Sequence, residues 1–286
     1  MWGRTANLRQ RIDGLSWAQW LAAAAPGAAA FGWWAGRLSV WVPAMAALAG
    51  FMLCVALRAW QCSLRRQFIR EAALPPFLRG KLREAFPHLS ERDADLVLRG
   101  LRQFFMTHLR SGRRFVAMPS RAVDEAWHAH ILHTEAYQRW CRAAFGRLLH
   151  HTPAEVLSRD ARRNDGLRRT WYWACKEESI DPRRPIRLPL LFALDAKFAI
   201  AGGFHYVPDC SAIDRASGSD VYCGSSFGAE RDGSWGGPFD DDRRAGDSQG
   251  FGGSETSSSA ESSDSGDAGS SCGGGCGGGG GGGGSD

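Results

Sequence analysis

The sequence predicts a mainly α protein in three parts: an N-terminal transmembrane hairpin, a cytoplasmic all-helical domain and a disordered Gly/Ser-rich C-terminal tail. Three observations carry this. Residues 15–57 are strongly apolar and hold one charge, Arg37. Between residues 77 and 176, apolar residues recur at helical spacing behind recognisable caps. From residue 217 onward the composition turns to Gly, Ser and Asp, which bury too little apolar surface to offset the entropy of ordering. Charge divides at the same place. Residues 1–216 hold 32 Lys+Arg and 18 Asp+Glu (net +14), residues 217–286 hold 3 and 12 (net −9), and the two sum to the chain's +5. A basic body with an acidic, solvated tail is the reading.

Residues 1–14 are read as a cytoplasmic N-terminus and residues 15–57 as two spans, about 15–35 and 38–57. The second is twenty uncharged residues, enough to cross a bilayer. The first is Ala-rich and carries Pro26 and several glycines, which membrane helices tolerate better than soluble ones. Trp17, Trp20, Trp33, Trp34 and Trp41 fall near the expected ends, as interfacial aromatic belts do. A cleaved signal peptide does not fit, because the apolar region is too long and a basic cluster follows it. Arg4, Arg9 and Arg11 precede the hairpin; Arg58, Arg65, Arg66 and Arg70 follow it. The positive-inside rule then puts both ends in the cytoplasm. A single span is the alternative topology.

The helical domain is expected over residues 58–216. A basic helix leaves the membrane from about residue 59 to 71, and Pro75-Pro76 breaks it. A short helix covers 77–86. Ser90, with Glu91 and Asp93 in the first turn, opens a helix carrying Leu96, Val97, Leu101, Phe104, Phe105 and Leu109 at helical spacing. Residues 115–118 form an extended bridge. Ser120 caps a helix running to about Phe145 before Gly146. Thr152-Pro153-Ala154-Glu155 has the form of a capping box for the next helix, ending near Lys176. Residues 181–189, with three prolines, are a loop. Period alone leaves 190–200 open between helix and buried strand. The eight cysteines are widely scattered, so reduced thiols in a cytosol are expected. Cys272 and Cys276, in the tail, are expected to be labile thiols or points of modification or cross-linking by a partner.

The chemistry concentrates in residues 118–153, which hold five of the eight histidines. On one helix, Val123, Trp127, His130, Thr134, Tyr137, Cys141 and Phe145 make a single stripe, read as the core face. His130 is therefore read first as a hydrogen-bonded core histidine; alternatively it shares a ligand with His133, three residues on. Asp124 and His128, four apart, meet on an adjacent face. There the carboxylate either orients the imidazole or joins it at one metal. Gly146 lets the chain reverse, so that His150 or His151 can return over the helix. Three such ligands with an open position make the pattern of a catalytic zinc or non-haem iron site. The sequence has no HExxH, no CxxC pair and no regular finger spacing. A Cys141 or Cys175 nucleophile has no local support.

These residues resemble the glycine-rich domain-containing-protein-like family, whose members share a VD-x-x-W-H-x-H-x-L core followed by a spaced Tyr, Cys, Phe-Gly and His. Val123, Asp124, Trp127, His128, His130, Leu132, Tyr137, Cys141, Phe145, Gly146 and His151 carry the match, over about residues 75–180. The CGGGCG run of the tail also resembles the tails of membrane-anchored bacterial members. The resemblance implies a helical domain of unknown activity, with plant relatives linked to development and stress. This chain departs from the plant members in its membrane hairpin and its short length.

Three functions follow. The first is a membrane-tethered interaction module on the bacterial inner membrane, with Trp127, His128 and His130 organising the fold and the tail recruiting a protein partner. The second is an enzyme with a divalent metal, zinc or iron, at Asp124, His128 and His150 or His151, supported by Trp127, His130, Tyr137 and Cys141. The third is binding of anionic lipid headgroups or nucleic acid through the arginines. Nucleic acid is disfavoured, since no recognition motif accompanies the charge.

Overall fold

The computed structural model describes residues 2–36, 39, 41–151, 161–209, 221–224 and 227. It is mainly helical, with α1 (Trp2–Trp34), α2 (Trp41–Glu71), α3 (Phe77–Ala85), α4 (Glu91–Arg110), α5 (Arg121–Leu132), α6 (Thr134–Phe145), α7 (Ala161–Glu177) and α8 (Leu190–Lys197). Two three-residue strands, β1 (His205–Val207) and β2 (Val221–Cys223), pair in parallel.

α1 and α2 lie antiparallel. Gln61 Nε2 donates to the Ile12 carbonyl (3.3 Å) and to Ser16 Oγ (3.1 Å), and Cys54 Sγ lies 3.8 Å from the Gln19 carbonyl. The backbones approach closely at Gly50, where a Cβ would stand 2.9 Å from the Ala22 carbonyl oxygen. Away from that seam, Trp17, Trp20, Trp34, Trp41 and Phe51 are exposed. α2 is long and apolar enough to cross a membrane; its apolar window has a mean hydropathy of 1.8 and is only 6% buried. α1 does not reach that standard, because Gln19, Pro26, its glycines and its tryptophans dilute its hydropathy.

Residues 2–14, expected as a segment apart from the helices, are the start of α1, whose Leu8 and Ile12 join the domain core while the Arg9 guanidinium lies 5.5 Å from the Phe68 ring centroid. α2 likewise runs unbroken into the domain. Its C-terminus ends under Arg102, whose Nη1 donates to the Ile69 carbonyl at 2.9 Å.

The domain is built on α4, which packs against α2, α3, α5, α7 and α8. Its start is the capping box expected at Ser90. The Ser90 Oγ accepts from Asp93 N (3.2 Å), and Asp93 Oδ2 accepts from Ser90 N (3.0 Å). Leu101, Phe104, Phe105 and Leu109 are all buried, as their spacing requires.

The helix expected from Ser120 to Phe145 is two helices. No Gly or Pro marks the break at His133, whose ring stacks on Phe77 of α3 with centroids 3.8 Å apart. Tertiary packing makes this turn, so local sequence carries no sign of it. Of the expected stripe, Val123, Trp127, His130, Tyr137, Cys141 and Phe145 are buried; Thr134, at the break, is exposed. Residues 190–197 are helical.

The folded body also extends beyond residue 217. β2 pairs with β1, and Phe227 packs against Trp171, Phe192 and Tyr206 (centroids 5.9, 6.3 and 6.2 Å). A short apolar run thus interrupts the polar composition and finds an aromatic surface to cover. The rest of the expected tail, with Cys272 and Cys276, and the expected capping box at Thr152 lie outside the described residues. Cys62 and Cys223 are each in a disulfide, against the expectation of reduced thiols, whereas Cys54, Cys141 and Cys175 are free.

Candidate metal centre

The site begins at the N-terminus of α5. Ser120 Oγ accepts from Val123 N (3.3 Å) and donates to Asp195 Oδ1 (2.7 Å). The buried Asp195 carboxylate, on α8, also accepts from Arg121 N (2.7 Å), Ala122 N (3.1 Å) and Phe204 N (3.0 Å). One carboxylate thus satisfies helix-start donors that would otherwise be orphaned and ties the 203–204 turn to the same point. α5 is fixed in rotation. Trp127 and His130 face inward, and Asp124 and His128 face outward.

The second half arrives from residues 146–151. Gly146 ends α6 in the left-handed conformation, φ 82°, which glycine adopts without a Cβ clash. Tyr137 then anchors the returning chain. Its hydroxyl accepts from Trp127 Nε1 (3.0 Å) and donates to the Leu149 carbonyl (2.6 Å). With Leu149 held, His151 lies edge-on to Trp127 (centroids 4.6 Å) and its Nε2 stands 3.0 Å from Asp124 Oδ1. His128 Nδ1 is 3.7 Å from Asp124 Oδ2, and the two imidazole centroids are 4.4 Å apart.

One ligand atom each from Asp124, His128 and His151 therefore lies within 4.8 Å of the others. The His128 side chain is 46% exposed, that of Asp124 31% and that of His151 12%. A cavity of about 260 Å³ opens beside the group, with Asp124, His151, His150, His108, Arg121 and Phe204 in its wall. His150 is exposed and reaches the cavity wall without joining the group of three.

The inward residues have a different chemistry. His130 is fully buried among Tyr137 (5.1 Å), Trp140 (5.9 Å) and Phe105 (6.4 Å), and neither ring nitrogen has a hydrogen-bond partner. The expected hydrogen bond is not made. Burial, with the charge of His133 second, pushes its pKa down to about 4. His133 is exposed and stacked on Phe77, so the pair shares no ligand position. Burial likewise raises the pKa of Tyr137, of the Cys141 thiol, and of the Cys175 thiol to about 12. Neither cysteine is prepared as a nucleophile.

Spacing in the sequence singles out neither Asp195 nor His108 as part of the site. Asp195 is the lone acid in an apolar run, LLFALDAKFAI, and such an acid must find donors if buried. His108 sits at the end of α4, in the cavity wall. Its Nδ1 meets the Arg114 carbonyl at 3.1 Å, and burial pushes its pKa down to about 4. No curated protein and no solved structure matches the chain. A family model does match, over residues 64–227, which takes in α4 to α8, both strands and every residue of the group. On that match, which covers more than half of its length, this chain belongs to the UCP032817-like family, an uncharacterised one.

Proposed function

We propose that this protein is a membrane-anchored helical domain that binds a divalent transition metal, zinc or ferrous iron, through Asp124, His128 and His151. One observation carries the reading: two segments 23 residues apart (128 to 151) are pinned so that a carboxylate and two imidazoles converge beside a cavity. Two histidines and one carboxylate are the ligand set of zinc hydrolases and of the facial-triad irons, and three protein ligands leave positions open. The metal would polarise a bound water or oxygen-bearing group. His108, His150 and Arg121 supply the polar groups of the adjoining wall.

Both long helices enter the membrane in this proposal. The exposed tryptophans and apolar residues along α1 and α2 support that, and the arginines following residue 57 favour a cytoplasmic domain in a bacterial inner membrane. The disulfides at Cys62 and Cys223 favour the oxidising side. An alkaline phosphatase fusion at residue 286 decides: an inactive fusion supports the cytoplasmic placement, and an active one reverses it.

The metal itself is tested by elemental analysis of the full chain in detergent, without an affinity His-tag. The full chain is needed because Leu8 and Ile12 belong to the core. Near-stoichiometric zinc or iron that is lost in His128→Ala and His151→Ala supports the centre. A metal-free protein unchanged by either zinc or ferrous iron rejects it. The direct His151–Asp124 bond favours a second reading, in which the pair clamps the returning chain of an interaction module. That reading gains if the protein is metal-free and His151→Ala lowers the melting temperature.

A further inference from the structure

A second cluster lies at the junction of α2, α4 and α6, apart from the metal group. Arg65 is only 7% exposed, and its Nε and Nη1 are buried without a hydrogen-bond partner. Its guanidinium lies against Gly146, where a Cβ would come within 2.7 Å of Nη1 and 2.8 Å of Nη2. Arg113, half-buried, holds a left-handed φ of 65° just after α4, and its carbonyl accepts from Arg147 Nη2 at 2.7 Å.

Among the described residues, none of these three arginines has an ion-pair partner. Neighbouring arginines do: Arg70 and Arg110 meet Glu177 at 3.1 and 2.8 Å, and Arg187 meets Glu178. Asp13 is exposed, and its charge acts on Arg65 less strongly than the opposing charge of Arg113. The C-terminus of α6 offers roughly half a negative charge, which leaves an excess of positive charge. A buried guanidinium with no carboxylate bonded directly to it is costly unless something else completes it.

We propose that Arg65, Arg113 and Arg147 bind a phosphate oxyanion at the membrane-proximal side of the domain. Phosphate oxygens match the guanidinium fork; the half-buried Arg113 and exposed Arg147 can meet them directly, with the charge of buried Arg65 behind. Arg65 follows the last residue of the uncharged run, Leu57, by eight positions on one continuous helix, about 12 Å along its axis. That distance puts it within side-chain reach of the headgroup layer. The oxyanion comes either from a phospholipid headgroup or from free phosphate. The cluster shares no residue with the metal group, so the two proposals fail independently.

The test is the melting temperature of the full chain in neutral maltoside micelles. Phosphatidylglycerol, sodium phosphate and sodium chloride at matched ionic strength are added separately. The wild type is expected to gain at least about 3 °C from the phosphate-bearing additive and nothing from chloride. A gain from phosphatidylglycerol alone assigns a lipid site; a gain from both assigns a site that takes free phosphate. Arg65→Met is expected to lose the gain while matching or exceeding the anion-free wild-type stability. Arg113→Gln, at a half-buried position, loses it too, which keeps the test valid if Arg65→Met does not fold. No gain beyond chloride, or a gain that survives Arg113→Gln, overturns the proposal.

Discussion

His128 and His130 are separated by one residue, yet one side chain is nearly half in solvent and the other residue has no exposed surface. On a helix such neighbours point to nearly opposite faces, so the backbone gives the two imidazoles different solvents. His128 meets a carboxylate and a second imidazole, with the open side a ligand needs. His130 meets only aromatic edges and stays neutral well below its ordinary range. The WHAH motif thus joins a group able to hold a cation to a packed aromatic box. Trp127 links them: its ring touches His151 on one side and its Nε1 bonds Tyr137 of the box on the other.

Acid should break the inner region first. His108 and His130 are neutral in the fold, with pKa values near 4, whereas the unfolded chain takes up those protons below about 6.5. Between those limits the unfolded state binds more protons, so stability falls as pH falls and is insensitive to these groups above 6.5. Each contributes up to about 3 kcal/mol of that loss. Denaturant titrations of the full chain at pH 7, 5.5 and 4.5 check the slope, and His130→Leu should flatten it.

The next effect is His130→Ala, expected to cost about 3 kcal/mol through the cavity it leaves. Metal content should stay unchanged. A loss below about 0.5 kcal/mol would mean that the box is not structural. Tyr137→Phe couples the two regions. It strands Trp127 Nε1 and the Leu149 carbonyl, for about 2 kcal/mol, and loosens the segment carrying His151. A 10–100-fold fall in zinc affinity by competition with a chromophoric chelator is expected alongside. Equal affinity in the mutant would separate the box from the metal group. His128→Ala has the smallest effect on stability, under about 0.5 kcal/mol in the metal-free protein, while removing the metal. Together the last two decide whether the outer face is a binding site or only a clamp.

Much of this was legible early. Asp124 and His128 follow from four-residue spacing, the burial of Trp127, Tyr137, Cys141 and Phe145 from the apolar stripe, and the start of α4 from Ser90 and Asp93. The choice of His151 over His150 was not legible. Adjacent residues in an extended segment differ by which side the chain presents, and that is set by Tyr137 holding Leu149. Asp195 was missed because its partners at Ser120 to Ala122 are far away in sequence, and His108 because the cavity it faces is lined from distant segments. The break at His133 and the role of Leu8 and Ile12 have the same origin, since distant side chains rather than local propensity impose them.

Spacing in the linear chain was enough for the helical class, the apolar segment that α2 carries, the caps at Ser90 and Ser120, and the inward or outward face of Asp124, Trp127, His128 and His130. These depend on spacing within one element, where geometry is periodic and local. Contacts across the chain settled which histidine closes the group, where α5 stops and that residues 221–224 and 227 join the fold. Those are questions of what meets across the chain, and burial and charge pairing are properties of neighbours that the linear order does not record.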